Sequence, residues 1–148
     1  MKFENFLKGC GTHGQILERT NGDQWLICGR VGMKIPLGVN NLLGSGEVSE
    51  RVKTIVEGLI KADTSDKVFL KRATIEKDGK SSDIIRVFGD MLDIEVGIRN
   101  SDFGLLEKSD YNLAEVDIET EDFIATKYLV VLDDSDIVIG FIKGVEEI

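Results

Sequence analysis

One proline in 148 residues excludes a collagen-like or linker-like chain. Four alanines against sixteen isoleucines and thirteen valines argue against a helical bundle and for a sheet-rich domain. Two cysteines are too few for a disulfide framework, so both are expected as thiols. No apolar run approaches the roughly 20 residues that span a bilayer. The longest clusters, Tyr128 to Leu132 and Ile137 to Ile142, are strand-length. The opening KFENFLKGC has no signal-peptide character and the end carries no lipidation box, so no membrane association and a cytoplasmic location are expected. Basic residues are in deficit, 18 against 27 acidic, and the net charge of -9 argues against non-specific binding of duplex DNA.

What is present points to an ordinary folded domain. With 42% hydrophobic residues the chain is too apolar for intrinsic disorder. A chain this long buries roughly 70% of its unfolded surface and needs no metal or disulfide staple. One domain over residues 1–148 is expected.

Phe3, Phe6 and Leu7 share one face of a short N-terminal helix that the run GCGTHG ends. Asn21-Gly22-Asp23 separates Gln15–Arg19 from Gln24–Arg30, a strong hairpin signal, and Val31–Pro36 reads as a third strand. Gly38–Gly46 reads as a loop. Ser49 is placed to cap a helix whose apolar residues Val52, Ile55, Val56, Leu59 and Ile60 recur at helical spacing up to Ala62-Asp63. Lys67–Glu76 reads as a strand and Asp78-Gly79-Lys80 as a turn. Ser82–Leu92 is predicted as a second main helix, capped by Ser81 or Ser82, with Ile84, Ile85, Phe88, Met91 and Leu92 as its stripe. Ile94, Val96 and Ile98 alternate as a strand, and Asp102–Glu107 fits one helical turn. Tyr111–Ile118, Ile124–Leu132 and Ile137–Lys143 are strands, the last two joined by the hairpin loop Asp133-Asp134-Ser135-Asp136. The sum is an α+β domain: a mostly antiparallel sheet of about eight strands with two main helices.

The charge is unevenly spread. Residues 1–80 hold 13 basic and 10 acidic side chains, whereas residues 81–148 hold 5 and 17. The densest acidic segment is EVDIETED, where a strand places Glu115, Asp117, Glu119 and Glu121 on one face, with Asp122 beside them. Carboxylates then repeat about every 6.6 Å, from a rise of roughly 3.3 Å per residue, which resembles the spacing of nucleic-acid phosphates. The plainer reading is a solvated strand whose like charges deter edge-to-edge pairing.

Motifs with chemical content are few. Gly9–Gly14 matches G-x-G-x-x-G, but a helix precedes it and strand-like residues follow, the reverse of a dinucleotide-binding context. Cys10 and His13, with Cys28 beyond the hairpin, are weak candidates for a zinc site with Asp23 as a fourth ligand, or for a thiolate–imidazole pair. The plainer reading buries Cys28 on a strand and leaves His13 half-exposed in a turn. Asp102-Phe103-Gly104 spells a kinase triplet without the other kinase motifs. Asp133, Asp134 and Asp136 resemble part of a calcium loop but lack its glycine and distal glutamate. Asp90, Asp93 and Glu95 would need a further carboxylate to hold a cation. Trp25 with Phe3, Phe6 and Arg30 or Lys34 makes a conceivable stacking platform for single-stranded nucleic acid, with core packing as the alternative.

The runs CGRVGMKIPLGVNNLL, KTIVEGLIKADT, SSDIIRVFGDMLDIEVGI and YLVVLDDSDIVIGFI together resemble small uncharacterised proteins of bacteriophages and prophages of Firmicutes. The resemblance implies a phage protein of the bacterial host cytoplasm or the virion, either a virion component or an accessory factor, with no functional residues to carry over. The expectation is a non-enzymatic protein, with no cofactor, acting through a protein interface or as a homo-oligomer. Its hairpin residues Tyr128, Val130, Ile137, Ile139 and Phe141 are candidates for core and interface. The alternative is an anti-defence inhibitor presenting Glu115, Asp117, Glu119, Glu121 and Asp122 to a nucleic-acid-binding host enzyme, or a protein that captures a nucleotide signal.

Overall fold

The computed structural model describes residues 1–36, 48–77, 80–89, 95–107, 109–119 and 125–144; for residues 69–77, 80–89, 95, 96 and 100 it is the backbone that is described. The elements follow as α1 (Phe3–Cys10), β1 (Gln15–Glu18), β2 (Gln24–Cys28), β3 (Val31–Lys34), α2 (Glu50–Lys61), β4 (Lys67–Lys77), β5 (Lys80–Gly89), β6 (Glu95–Arg99), α3 (Asn100–Phe103), β7 (Leu113–Glu119), β8 (Ala125–Leu132) and β9 (Val138–Lys143). A helix followed by three strands thus occurs three times in succession.

All nine described strands join one sheet in the order β1-β2-β3-β9-β8-β7-β4-β5-β6. Each triplet is an antiparallel meander, and the third is inserted between the first two. The seams are β3 with β9, through Val31↔Ile142, and β7 with β4, through Lys67↔Ala114 and Val68↔Leu113; both are antiparallel. The α+β class read from the sequence holds, with α1 and α2 as its two longer helices.

Local chemistry explains most of the elements. Ser49 Oγ accepts from Val52 N–H at 3.3 Å and caps α2, a contact worth about 1 kcal/mol. The β1–β2 loop is closed by Arg19 N–H to Asp23 C=O at 2.8 Å, with Gly22 at φ 89. That conformation favours glycine, and Asn21 Oδ1 takes the Asp23 N–H at 3.1 Å.

Where a helix was expected over Ser82–Leu92, the described part, as far as Gly89, is a strand instead: β5 is hydrogen-bonded on both sides. Leu70↔Val87 is one of its pairs with β4, and Val87↔Val96 one of its pairs with β6. Ile84, Ile85 and Phe88 fit a helical stripe, but with Val87 they are also strong strand formers. Two ladders of backbone hydrogen bonds outweigh the small helix propensity of such a segment. Ser82 and Asp83 are therefore strand residues rather than a cap. Gly38–Gly46, Asp78-Gly79, Asp90–Ile94 and Thr120–Ile124 fall outside the described residues.

Strand alternation divides the core between the two faces of the sheet. Leu129 and Val131 pack with Phe3, Phe6, Met33, Leu106, Leu113 and Ile142, under α1 and the α3 segment. Tyr128, Val130 and Leu132 pack with Trp25, Val56, Leu59, Val116 and Phe141, under α2. β8 is thus covered on both faces along Tyr128–Leu132. Ile98, from the far edge strand, joins Leu129 and Val131, so the β4–β6 meander curls over that face.

Phe141 shows how tightly this is drawn. It pairs with Gly32 in register, and a Cβ at Gly32 would fall on its ring atoms Cε1 and Cζ. The ring stacks on Trp25 at 6.1 Å and meets Tyr128 edge-on at 5.9 Å. A glycine in a strand interior marks this kind of close approach.

Candidate protein-interaction surface

The β8–β9 turn is fixed by its own carboxylates. Asp133 Oδ1 accepts from Ser135 N–H at 2.8 Å and Ile137 N–H at 3.0 Å, and Asp136 sits at φ 59. Two neighbouring segments then lock onto the turn. Asn112 Nδ2 donates to Asp133 C=O at 2.8 Å and to Asp136 Oδ1 at 2.7 Å. Lys67 Nζ, at the start of β4, donates to Asn112 Oδ1 and Asp136 Oδ1, each at 2.8 Å. The Tyr111 hydroxyl donates to Asp134 Oδ1 at 2.7 Å. The Lys67 and Asn112 bonds hold the Asp136 carboxyl below its usual range, and the Asp134 bond pushes the Tyr111 phenol up.

This network presents apolar surface. Tyr111, at 72% exposure, and Ile137, at 54%, are the exposed large hydrophobics among the described residues. The Tyr111 ring stands in solvent but is tethered through its hydroxyl, so binding costs it less side-chain entropy than a free tyrosine. An aromatic anchor with a polar rim is the usual form of an interaction hot spot. The carboxylates are held by protein donors, which suits a structural turn rather than a calcium loop. Sequence reasoning placed Ile137 and the three aspartates here but passed over Tyr111, Asn112 and Lys67. A tyrosine at the polar mouth of a strand was the available signal.

The acidic strand is less uniform than its sequence. Alternation holds: Val116 packs under α2, and Asp117 and Glu119 are exposed. Glu115 is only 6% exposed, and Lys127 Nζ of β8 donates to its Oε1 at 2.6 Å. Its Oε2 is buried with no hydrogen-bond partner. The bond to Glu115 raises the Lys127 pKa against the opposing cost of burial. The carboxylate row therefore begins with a matched pair, and Glu121 and Asp122 lie outside the described residues.

The hairpin residues are mostly core. Tyr128, Val130 and Phe141 are buried, leaving Ile137 exposed and Ile139 half-buried. Ile139 lines a cleft of about 260 Å³ with Met1, Phe3, Met33 and Ile35. Trp25 is 1% exposed under α2, whereas Phe3 and Phe6 lie on the opposite face, so no stacking platform is assembled. Trp25 Nε1 is buried without a hydrogen-bond partner.

Cys10 and Cys28 pack in one cluster: Cys10 is buried, Cys28 is half-buried where burial was expected, and His13 is exposed rather than half-exposed. Burial first, then the contact with Cys28, pushes the Cys10 thiol up to about 12. The G-x-G-x-x-G run spans the end of α1 and the turn into β1, with helix before and strand after. Asp102 lies in α3, while Asp90 and Asp93 lie outside the described residues and Glu95 begins β6. No group of three or more His, Cys, Asp or Glu side chains suited to a metal ion occurs among the described residues. No helix among them is long and apolar enough to cross a membrane. No protein-family model, curated protein or solved structure matches the chain.

Proposed function

We propose that this chain is a non-enzymatic binding protein that acts through protein–protein contact, self-association included, with the β8–β9 turn as its contact surface. The observation that carries this reading is Tyr111, which is exposed yet held by a 2.7 Å hydrogen bond to Asp134 of the turn that also carries the exposed Ile137. The two edge strands, β1 and β6, add a second reason for self-association, since open sheet edges invite pairing. A phage origin, in the host cytoplasm or the virion, belongs to the same proposal and rests on the sequence resemblance.

Light scattering at high micromolar concentration tests it. The wild-type chain is expected to run as a dimer or larger species. The double variant Tyr111→Ala with Ile137→Ser should run as a monomer with unchanged circular dichroism. A wild-type monomer at every concentration sinks the self-association, and an unchanged oligomer in the variant sinks the surface. The inhibitor reading retains Asp117 and Glu119 as exposed carboxylates but has lost Glu115 to Lys127, which lowers its support.

A further inference from the structure

The two cysteines of the chain are Cys10, the last residue of α1, and Cys28, the last of β2. The turn leaving α1 is closed by His13 N–H to Cys10 C=O at 2.9 Å and leads into Gly14. A Cβ at Gly14 would stand 2.8 Å from Leu26 Cδ1 and 3.3 Å from Cys10 Cβ, so a bare glycine is what lets the helix end press onto β2. Leu26 and Cys28, two apart on a strand, point to the same face. Both pack in the cluster that holds Cys10. The β1–β2 register, Gln15↔Ile27, carries Gly14 to the side of Cys28, and Cys10 Sγ stands 3.7 Å from the same Cβ position on Gly14, so the two thiols meet over this glycine.

We propose that Cys10 and Cys28 form a reversible dithiol–disulfide pair, which a small-molecule disulfide such as oxidised glutathione closes into a staple between α1 and β2. Cys28 is the more exposed thiol and reacts first. It loses its proton, its thiolate attacks one glutathione sulfur, the glutathione S–S bond breaks, and one glutathione leaves as thiolate. Cys10 then loses its proton and attacks Cys28 Sγ. The mixed disulfide breaks and the second glutathione leaves. The protein is oxidised by two electrons, the glutathione disulfide is reduced, and the two released protons end on its two thiols. The closing step waits on Cys10, whose thiol burial holds up at about 12, so closure accelerates as the pH rises. A reducing compartment keeps the pair open, and an oxidising one locks the helix to the sheet.

The test uses the full chain, incubated with oxidised glutathione at pH 8.5 and examined by intact mass and a non-reducing peptide map. The expected product is two hydrogens lighter, has no free thiol after denaturation and yields a Cys10–Cys28 linked peptide. It melts several degrees higher, and dithiothreitol reverses every change. Cys10→Ser should stop at one glutathione on Cys28, and Cys28→Ser should leave Cys10 unmodified while folded. A wild-type chain that keeps both thiols free, retains glutathione on Cys28 without closing, or links to a second copy through Cys28 overturns the proposal.

Discussion

Replacing Gly32 by alanine asks whether Phe141 holds the sheet seam together. The added Cβ falls on Cε1 and Cζ of a ring wedged between Trp25 and Tyr128, so the ring must move within a filled space. Overpacking of this kind costs about 1–3 kcal/mol. If the ring leaves its place, two aromatic contacts worth roughly 0.5–1.5 kcal/mol each weaken as well. Gly32→Ala should therefore lose about 2–4 kcal/mol, a large part of the 5–15 kcal/mol that holds a typical domain folded. At about 2–4 °C per kcal/mol for a chain of this length, the melting temperature falls by roughly 5–15 °C. Trp25 is the sole tryptophan and stacks on Phe141, so its fluorescence during urea unfolding reports on the perturbed site itself. Phe141→Leu removes the clashing atoms, and the double variant should recover about 1–2 kcal/mol relative to the sum of the single changes. A Gly32→Ala variant within about 0.5 kcal/mol of wild type, or strict additivity with Phe141→Leu, would refute the reasoning.

Two further perturbations address the ion pairs. Lys127→Met leaves the buried Glu115 carboxylate without its cation and should cost about 2 kcal/mol in urea unfolding at pH 7. The Lys127 pKa is raised above 10.5, so its contribution is complete at neutral pH and fades only as the pH climbs through that raised value; a gap between the two proteins that closes below pH 9 contradicts the assignment. Glu57 of α2 accepts from Arg19 Nε at 2.7 Å and from Nη2 at 3.2 Å, and Arg19 holds its carboxyl below 4.5. This stabilisation is present above that value and is lost as the pH falls through the lowered one. Glu57→Gln should thus be less stable than wild type at pH 7, by under about 1 kcal/mol given the exposure of the pair, and equal to it in strong acid. A constant difference from pH 7 to pH 3 would show that the carboxylate charge is not what matters.

Local rules carried much of the fold. Asn21-Gly22, the Ser49 cap and the apolar spacing of Val52 to Ile60 each act within a few residues, and the structure forms the hairpin and the helix they encode. Residues 82–89 depart from the expected helix because their fate depends on partners far away: β4 and β6 flank them, and neither pairing is written in the segment itself. The insertion of the third meander between the first two was illegible for the same reason. In the candidate surface, Ile137 and the aspartates showed as a polar turn. Lys67 reaches it across the β7–β4 seam, Asn112 from the residue before β7, and Tyr111 is tied to it through its hydroxyl; these are contacts that only the folded chain creates. Glu115 and Lys127 likewise looked like two ordinary surface charges until the β7–β8 register set them together.

The inserted third meander also sets a timetable for synthesis. β3 and β4 have no common border; each must wait for a strand of the last triplet, β9 for one and β7 for the other. At about 5–20 residues per second, roughly 5–20 s separate the making of β3 from that of β9. Throughout that interval a nascent chain on the ribosome carries two half-finished sheets whose inner edges are bare. β8, which both packed clusters share, is the penultimate strand to be made. Folding of this chain is therefore deferred until translation of its elements is nearly finished, and a ribosome stalled before residue 113 would display two sticky borders instead of a domain.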